Sequence, residues 1–163
     1  MKLYHGSTTR IQKPSLNKGR SKTDFGKGFY TTTSVEQARK WAIIKKNREE
    51  TDKTFVSVFE IDDNIFEKNY SVLFFEGATT EWLDFVVKNR RGEPTSIYDL
   101  VKGPVANDKL YATINLFEQG ILSAEATIEQ LNTHTLFDQL SFHSDRAMQE
   151  LRFVESFEAS DKE

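Results

Sequence analysis

The chain of 163 residues contains no cysteine. That absence excludes a disulfide framework, a thiolate nucleophile and a cysteine-ligated zinc site together. Long apolar runs are missing as well: no stretch approaches the roughly 18 apolar residues needed to span a bilayer, and the opening "MKLYHGSTT" has no apolar leader core. A cytoplasmic protein without membrane association is the expectation. Histidine is scarce, with three residues. Neither His134 nor His143 stands at metal-ligand spacing from another histidine or from paired carboxylates, so no metal is expected, and His143 reads as structural. There is no excess of positive charge either, since the formal net charge is −3. The basic run from Arg39-Lys40 to Lys45-Lys46-Asn47-Arg48 therefore reads as a solvated helix face. Internal repeats, low-complexity stretches and interdomain linkers are also absent.

What is present suits one ordinary core. Hydrophobic residues make up 37% and charged residues 29% of a chain too short for two well-buried domains. Thirteen Phe, five Tyr and two Trp supply the large side chains, each stabilising the fold by on the order of a few kcal/mol when buried. The expectation is one domain over residues 1–158, with 159–163 as a frayed tail.

Local pattern gives the order of elements. "KLYHGS" reads as a strand ending at His5-Gly6-Ser7, followed by a polar connection to Lys27. "FYTTT" has strand composition, and Ser34 with Gln37 three residues on forms a capping box that opens a helix carrying Val35, Ala38, Trp41 and Ala42. "TFVSVFEID" and "YSVLFF" read as strands, "TTEWLDFVVKNR" as a helix and "SIYDLVKGPV" as a strand. Two helices follow, in "NDKLYATINLFEQG" and "SAEATIEQLN", the second capped by Ser123. Strand "QLSFH", a short helix "SDRAMQEL" and strand "RFVESF" complete an α+β class.

The stretch Phe25-Gly26-Lys27-Gly28-Phe29-Tyr30 puts two glycines immediately before a strand. Such glycines either allow positive φ in a turn or admit a ligand where a Cβ would collide. Three features occur together: "LYHGS", "FGKGFY" and an aromatic residue, Trp41, eleven positions after Tyr30. In combination they resemble the ADP-ribosyltransferase superfamily, in the branch of the PARP enzymes and diphtheria toxin whose site is summarised as His, Tyr, Glu. Over the whole chain, including "YDLVKGPVANDKLY" and "DQLSFHS", the sequence is most similar to a bacterial family of largely uncharacterised small proteins assigned to that superfamily.

The resemblance implies an ADP-ribosyltransferase-like split β-sheet core with flanking helices, and NAD as a substrate without a metal. The family's reaction cleaves the nicotinamide–ribose bond through an oxocarbenium-like state. By this resemblance His5 would hydrogen-bond the adenosine-side ribose and the Gly6 backbone would read the carboxamide. Ser7 would bond ribose or backbone, and Tyr30 and Trp41 would wall the nicotinamide slot. Gly26 and Gly28 would let the loop approach the dinucleotide, and Arg20 would contact the diphosphate or adenosine.

Two positions depart from the family pattern. The third residue, a glutamate opening a late strand, aligns with Gln139, which keeps a hydrogen-bond acceptor but no charge. Loss of about 3 kcal/mol of electrostatic stabilisation would slow transfer by roughly two orders of magnitude. Glu76, Glu81 and Glu155 are the substitutes the sequence offers. The serine that PARP-like members carry eight residues after the tyrosine is here Ala38, removing a hydrogen bond of about 1 kcal/mol.

The expected function is single ADP-ribose transfer to a macromolecular target, protein or nucleic acid, with His5, Tyr30 and Gln139 as catalytic residues. By family analogy it would act as a toxin, phage or defence effector in the bacterial cytoplasm, with an antitoxin or regulatory partner. An idle NAD or ADP-ribose binding module, an NAD glycohydrolase and a nucleic-acid binder using the basic helix are the competing readings.

Overall fold

Residues 1–16, 23–93, 95, 97–106, 108–134 and 136–159 are described by the computed structural model. Seven strands and five α-helices are found among them. They run β1 (Lys2–Ser7), β2 (Phe29–Thr31), α1 (Val35–Glu49), β3 (Phe55–Glu60), β4 (Val72–Phe74), α2 (Thr80–Arg90), β5 (Leu100–Pro104), α3 (Asp108–Glu118), α4 (Ala124–Leu131), β6 (Asp138–Phe142), α5 (Asp145–Met148) and β7 (Arg152–Glu158). A 3-10 turn at Ile65–Glu67, not foreseen from sequence, sits between β3 and β4.

The strands divide into two sheets, ordered β1-β3-β7 and β2-β6-β5-β4. All pairings are antiparallel except β4 with β5. The sheets meet at one bridge, where Tyr4 and Thr32 exchange backbone hydrogen bonds of 2.8 and 3.0 Å. "FYTTT" thus yields only three strand residues, because Thr32 turns to β1 and its hydroxyl accepts from Ser34 N–H to start the helical cap.

The two faces of each sheet pack differently, as the period of two requires. Leu3, Phe59 and Ile61 of the first sheet face Phe29, Leu100, Leu140 and Phe142 of the second, closed off by Ala147, Met148 and Leu151. The opposite face of the second sheet, with Val101, is covered by Trp82, Leu83, Val86, Leu110, Ile114 and Leu131 from α2, α3 and α4. Helix α1 covers the outer face of the first sheet, with Ala38 against Val56 and Val58. Layers therefore run α1, first sheet, second sheet, then α2 to α4. The expected N-caps are in place, Ser34 accepting from Gln37 N–H and Ser123 from Ala126 N–H, but the second half of the capping box is not made: Ser34 N–H goes to Thr32 Oγ1 and Gln37 Oε1 has no partner among the described residues.

The tail needs a correction. Strand β7 continues through Glu158, and Ala159 is buried, donating its N–H to Thr54 O at 2.8 Å while Thr54 Oγ1 donates to its carbonyl at 2.6 Å. These two bonds tie the backbone to the start of β3, so fraying does not begin at 159; residues 160–163 lie outside the described residues. No described helix is long and apolar enough to cross a membrane.

Candidate functional site

Strand β1 delivers His5 to the junction of the two sheets. Its imidazole is buried and stacked on Phe29, with ring centroids 4.1 Å apart. His5 Nδ1 lies 2.7 Å from Tyr30 O. A carbonyl can only accept, so Nδ1 carries the proton and the neutral ring keeps Nε2 as an acceptor. Burial, and then the nearby Lys45 ammonium, push the His5 pKa down to about 3.

This fixes an expected pH dependence. An unfolded histidine titrates near 6.5 and the folded one near 3, so between those values the unfolded chain binds more protons. The stability that His5 contributes by staying neutral is complete above about pH 6.5 and is lost as pH falls toward 3, at up to ~1.4 kcal/mol per pH unit. His143, also shifted down by burial, adds in the same direction. Urea unfolding from pH 7 to pH 4 should show this slope in the parent chain and a shallower one in His5→Gln.

Gly6 follows His5 and faces α1. A Cβ there would lie 1.9 Å from Ala38 O and 2.9 Å from Ala42 N, so glycine is needed for the helix to approach the strand. Its carbonyl accepts from Lys45 Nζ at 2.8 Å, which turns one member of the basic run inward. Ser7, half-buried at the end of β1, accepts weakly from Thr9 N–H at 3.5 Å.

Tyr30 is turned toward the α2 to α4 side of the second sheet, packed with the core that includes Phe25. Its hydroxyl donates to Gly26 O and accepts from Phe25 N–H at 2.9 Å, with Thr23 Oγ1 also 2.9 Å away. Burial raises the phenol above its ordinary range, so it stays protonated. Tyr30 thus knits the glycine-bearing turn to the strand. Gly26 has φ +89°, which the turn requires, and the space beside Gly28 is filled by the His143 ring, 2.6 Å from an added Cβ. His143 Nδ1 donates to Lys27 O at 2.7 Å and Nε2 meets Ser141 Oγ at 2.7 Å, a structural role as expected.

Gln139 is the second residue of β6, on the same sheet face as Ser141, the register partner of Tyr30. It is buried, and its Nε2 donates to Asp24 Oδ2 at 3.1 Å and Pro104 O at 3.2 Å. Asp24 is the residue that the sequence reading missed. Its Oδ1 accepts from Arg90 Nε and Nη2 at 3.0 and 2.8 Å, and its Oδ2 also accepts from Ala106 N–H at 3.1 Å. The Arg90 guanidinium in turn lies 3.8 Å from the centroid of Tyr111. The Gln139 amide is therefore part of a buried polar network.

Contacts distinguish two flanks of α1. Val35 and Ala38 pack with Val56, Val58 and Phe157, and the Arg39 guanidinium lies 5.6 Å from the Phe157 centroid, so one flank looks toward β3 and β7. On the other flank Lys40 Nζ lies 5.2 Å from the centroid of Phe137, which precedes β6, and Lys45 reaches Gly6. At 100° per residue Gln37 and Trp41 fall between Lys40 and Lys45, on the flank toward the sheet junction. Trp41 is half-buried.

Two clefts border this region. One, about 480 Å³, is lined by Phe25, Gly26, Lys27, Phe85, Tyr98 and His143, so the glycine loop forms part of its rim. The other, about 420 Å³, is lined by Phe74, Glu76, Lys102, His134, Phe137 and Asp138. Asp138, which opens β6, accepts from Thr33 Oγ1 at 2.6 Å and sits 4.0 Å from Lys102 Nζ. Of the expected residues, His5 and Tyr30 are in direct contact and Gln139 is near Tyr30 along the sheet. His5, Tyr30 and Trp41 line neither cleft. Glu155 is exposed on β7 and Glu81 exposed on α2, while Glu76 lines the smaller cleft. Arg20 lies outside the described residues.

The model of a family described as "Protein of unknown function (DUF3990)" matches residues 1–153. No curated protein and no solved structure matches the chain.

Proposed function

The chain belongs to this family of proteins of unknown function, and from that premise we propose that it is an NAD-dependent mono-ADP-ribosyltransferase with an ADP-ribosyltransferase-type split-sheet core. The observation that carries the reading is the junction: two separate sheets joined by one bridge, with a neutral His5 anchored through Nδ1 to the Tyr30 carbonyl. An imidazole held in that tautomer offers Nε2 to a ribose hydroxyl. Trp41, on the flank of α1 toward the junction, supplies a flat surface for nicotinamide, and the Gly26 turn forms the rim of the adjoining cleft.

In the proposed reaction the bond between ribose C1′ and the nicotinamide nitrogen breaks, its electron pair leaving with nicotinamide. A nucleophilic atom of the acceptor then bonds to C1′ and loses its proton. The acceptor, protein or nucleic acid, is chosen outside the strand junction, and an effector role in the bacterial cytoplasm is in keeping with the family resemblance. A second reading is favoured by a specific observation. The Gln139 amide is committed to Asp24 and Pro104 and brings no charge, which suits an idle NAD or ADP-ribose binding module.

Incubation with NAD labelled on the adenine side, alone and with bacterial lysate, separates these readings. Transferase activity predicts nicotinamide release with label on a lysate component, lost in His5→Ala and reduced in Gln139→Ala. Nicotinamide release without labelled macromolecule would identify a glycohydrolase instead. NAD binding without any release, abolished in His5→Ala, would identify the binding module.

A further inference from the structure

The smaller cleft has no part in the NAD reading. Helix α2 crosses over between the parallel strands β4 and β5, and this cleft lies at the carboxyl ends of both. Residues 74–78, which lead from β4 into α2, line it together with Lys102, Gly103 and Pro104 at the end of β5. A crevice beyond the carboxyl ends of parallel strands is where open α/β sheets hold their ligands. At about 420 Å³ it falls within the size range of small-molecule sites.

Two neighbouring side chains in it do little for the fold. Phe74 is 52% exposed, so half of a large apolar ring meets solvent inside a concavity. Its register partner Lys102 is 28% exposed, with the ammonium 5.8 Å from the Phe74 centroid and 5.9 Å from that of Phe66. Asp138 is 4.0 Å from Lys102 Nζ, beyond hydrogen-bond reach, and is itself held by Thr33 Oγ1. The Lys102 donors are therefore not spent on any described residue. A second pair of the same kind lines the cleft at Phe137, where Lys40 Nζ lies 5.2 Å from the ring centroid.

From these residues we propose that the cleft binds a nucleotide, with its base stacked on Phe74 and its phosphate on the Lys102 ammonium. Aromatic faces beside lysines suit such a ligand because every base has a flat π-face and every phosphate a charge. A purely apolar ligand would strip Lys102 of water without replacing its hydrogen bonds, and a basic segment would meet two ammonium groups. Glu76 and Asn132 bring exposed hydrogen-bonding groups to the same cleft for the base edge. With a net charge of −3 and with Glu76 and Asp138 in the lining, the surface does not attract a long phosphate backbone, so the site takes one nucleotide. That unit can be a free nucleotide or one residue of a single strand.

Calorimetric titration of the full chain with the common nucleoside 5′-monophosphates, their nucleosides and a short mixed-sequence single-stranded DNA tests the proposal. At least one monophosphate should bind, and its nucleoside about tenfold more weakly for want of the charged contact. Phe74→Ala should weaken binding about tenfold or more, whereas Phe74→Tyr keeps the stacking surface and the affinity. Lys102→Gln should bring the monophosphate down to the level of its nucleoside and leave the nucleoside unchanged. Gly77→Leu should block the cleft while melting close to the parent, because an added Cβ there meets nothing within 4 Å. DNA bound far more tightly than any monophosphate identifies a strand as the source, and equal affinity a free nucleotide; either upholds the site. Absence of binding by monophosphates and DNA at millimolar concentration overturns the proposal, as does binding that is unchanged in both Phe74→Ala and Gly77→Leu. The NAD reading stands or falls separately, on the junction.

Discussion

Gly6→Ala should dislodge α1 from the first sheet and lower stability by on the order of 3 kcal/mol or more, the upper end of the overpacking range. The added methyl would meet Ala38 O at 1.9 Å and Ala42 N at 2.9 Å, and both obstacles are helix backbone that no rotamer change can move. Relief requires the helix to shift, which separates Ala38 from Val56 and Val58 and draws Lys45 from the Gly6 carbonyl. On the proposed NAD reading, binding at the junction should weaken along with stability, because α1 also carries Trp41. Gly77→Ala is the matched control, since a Cβ there meets nothing within 4 Å, and it should stay within about 0.5 kcal/mol of the parent. Urea denaturation of the two variants checks the contrast; equal stability would mean that the helix does not need the glycine.

Asp24→Ala is expected to cost about 3–5 kcal/mol, because it leaves the Arg90 guanidinium partly buried without its carboxylate. The same change strips Ala106 N–H and Gln139 Nε2 of an acceptor deep in the core. For a chain of this size the loss corresponds to a fall in melting temperature of roughly 10 °C. Asp24→Asn retains part of the hydrogen bonding and should fall between parent and Asp24→Ala. A thermal melt of Asp24→Ala within 2–3 °C of the parent, an effect below about 1 kcal/mol, would show that the Arg90–Asp24–Gln139 network contributes little.

Particular residues explain what was legible in the sequence. Ser34 and Ser123 announced their helices because a cap is a local interaction, three residues long. The apolar run in "TFVSVFEID" announced β3 because a strand covered on both faces needs such residues at nearly every position, and Val56, Ser57, Val58 and Phe59 are all buried. Asp24 was not legible. Its four donors come from α2, the residues after β5, and β6, segments that the sequence separates widely and only the tertiary fold brings together. Gly6 was read as a ligand contact, yet its packing against α1 depends on a helix that begins almost thirty residues later. Gln37 was read as the capping-box partner of Ser34, but Thr32 Oγ1 takes the Ser34 N–H and the Gln37 side chain is buried instead, which no pattern on a basic helix signals. The start of the tail was placed one residue early because the charges around it suggested solvent, whereas Ala159 is tied by two bonds to Thr54.

NAD binding at the junction is most directly tested by tryptophan fluorescence, because the chain has only two tryptophans and they occupy different sites. Trp82 is fully buried with its Nε1 donating to Pro104 O, whereas Trp41 is half-buried on the flank of α1 toward the junction. Titration with NAD should quench part of the emission saturably, and the quenching should vanish in Trp41→Phe while Trp82 still emits. Emission unchanged up to millimolar NAD, or saturable quenching that persists in Trp41→Phe, would contradict a nicotinamide site beside α1.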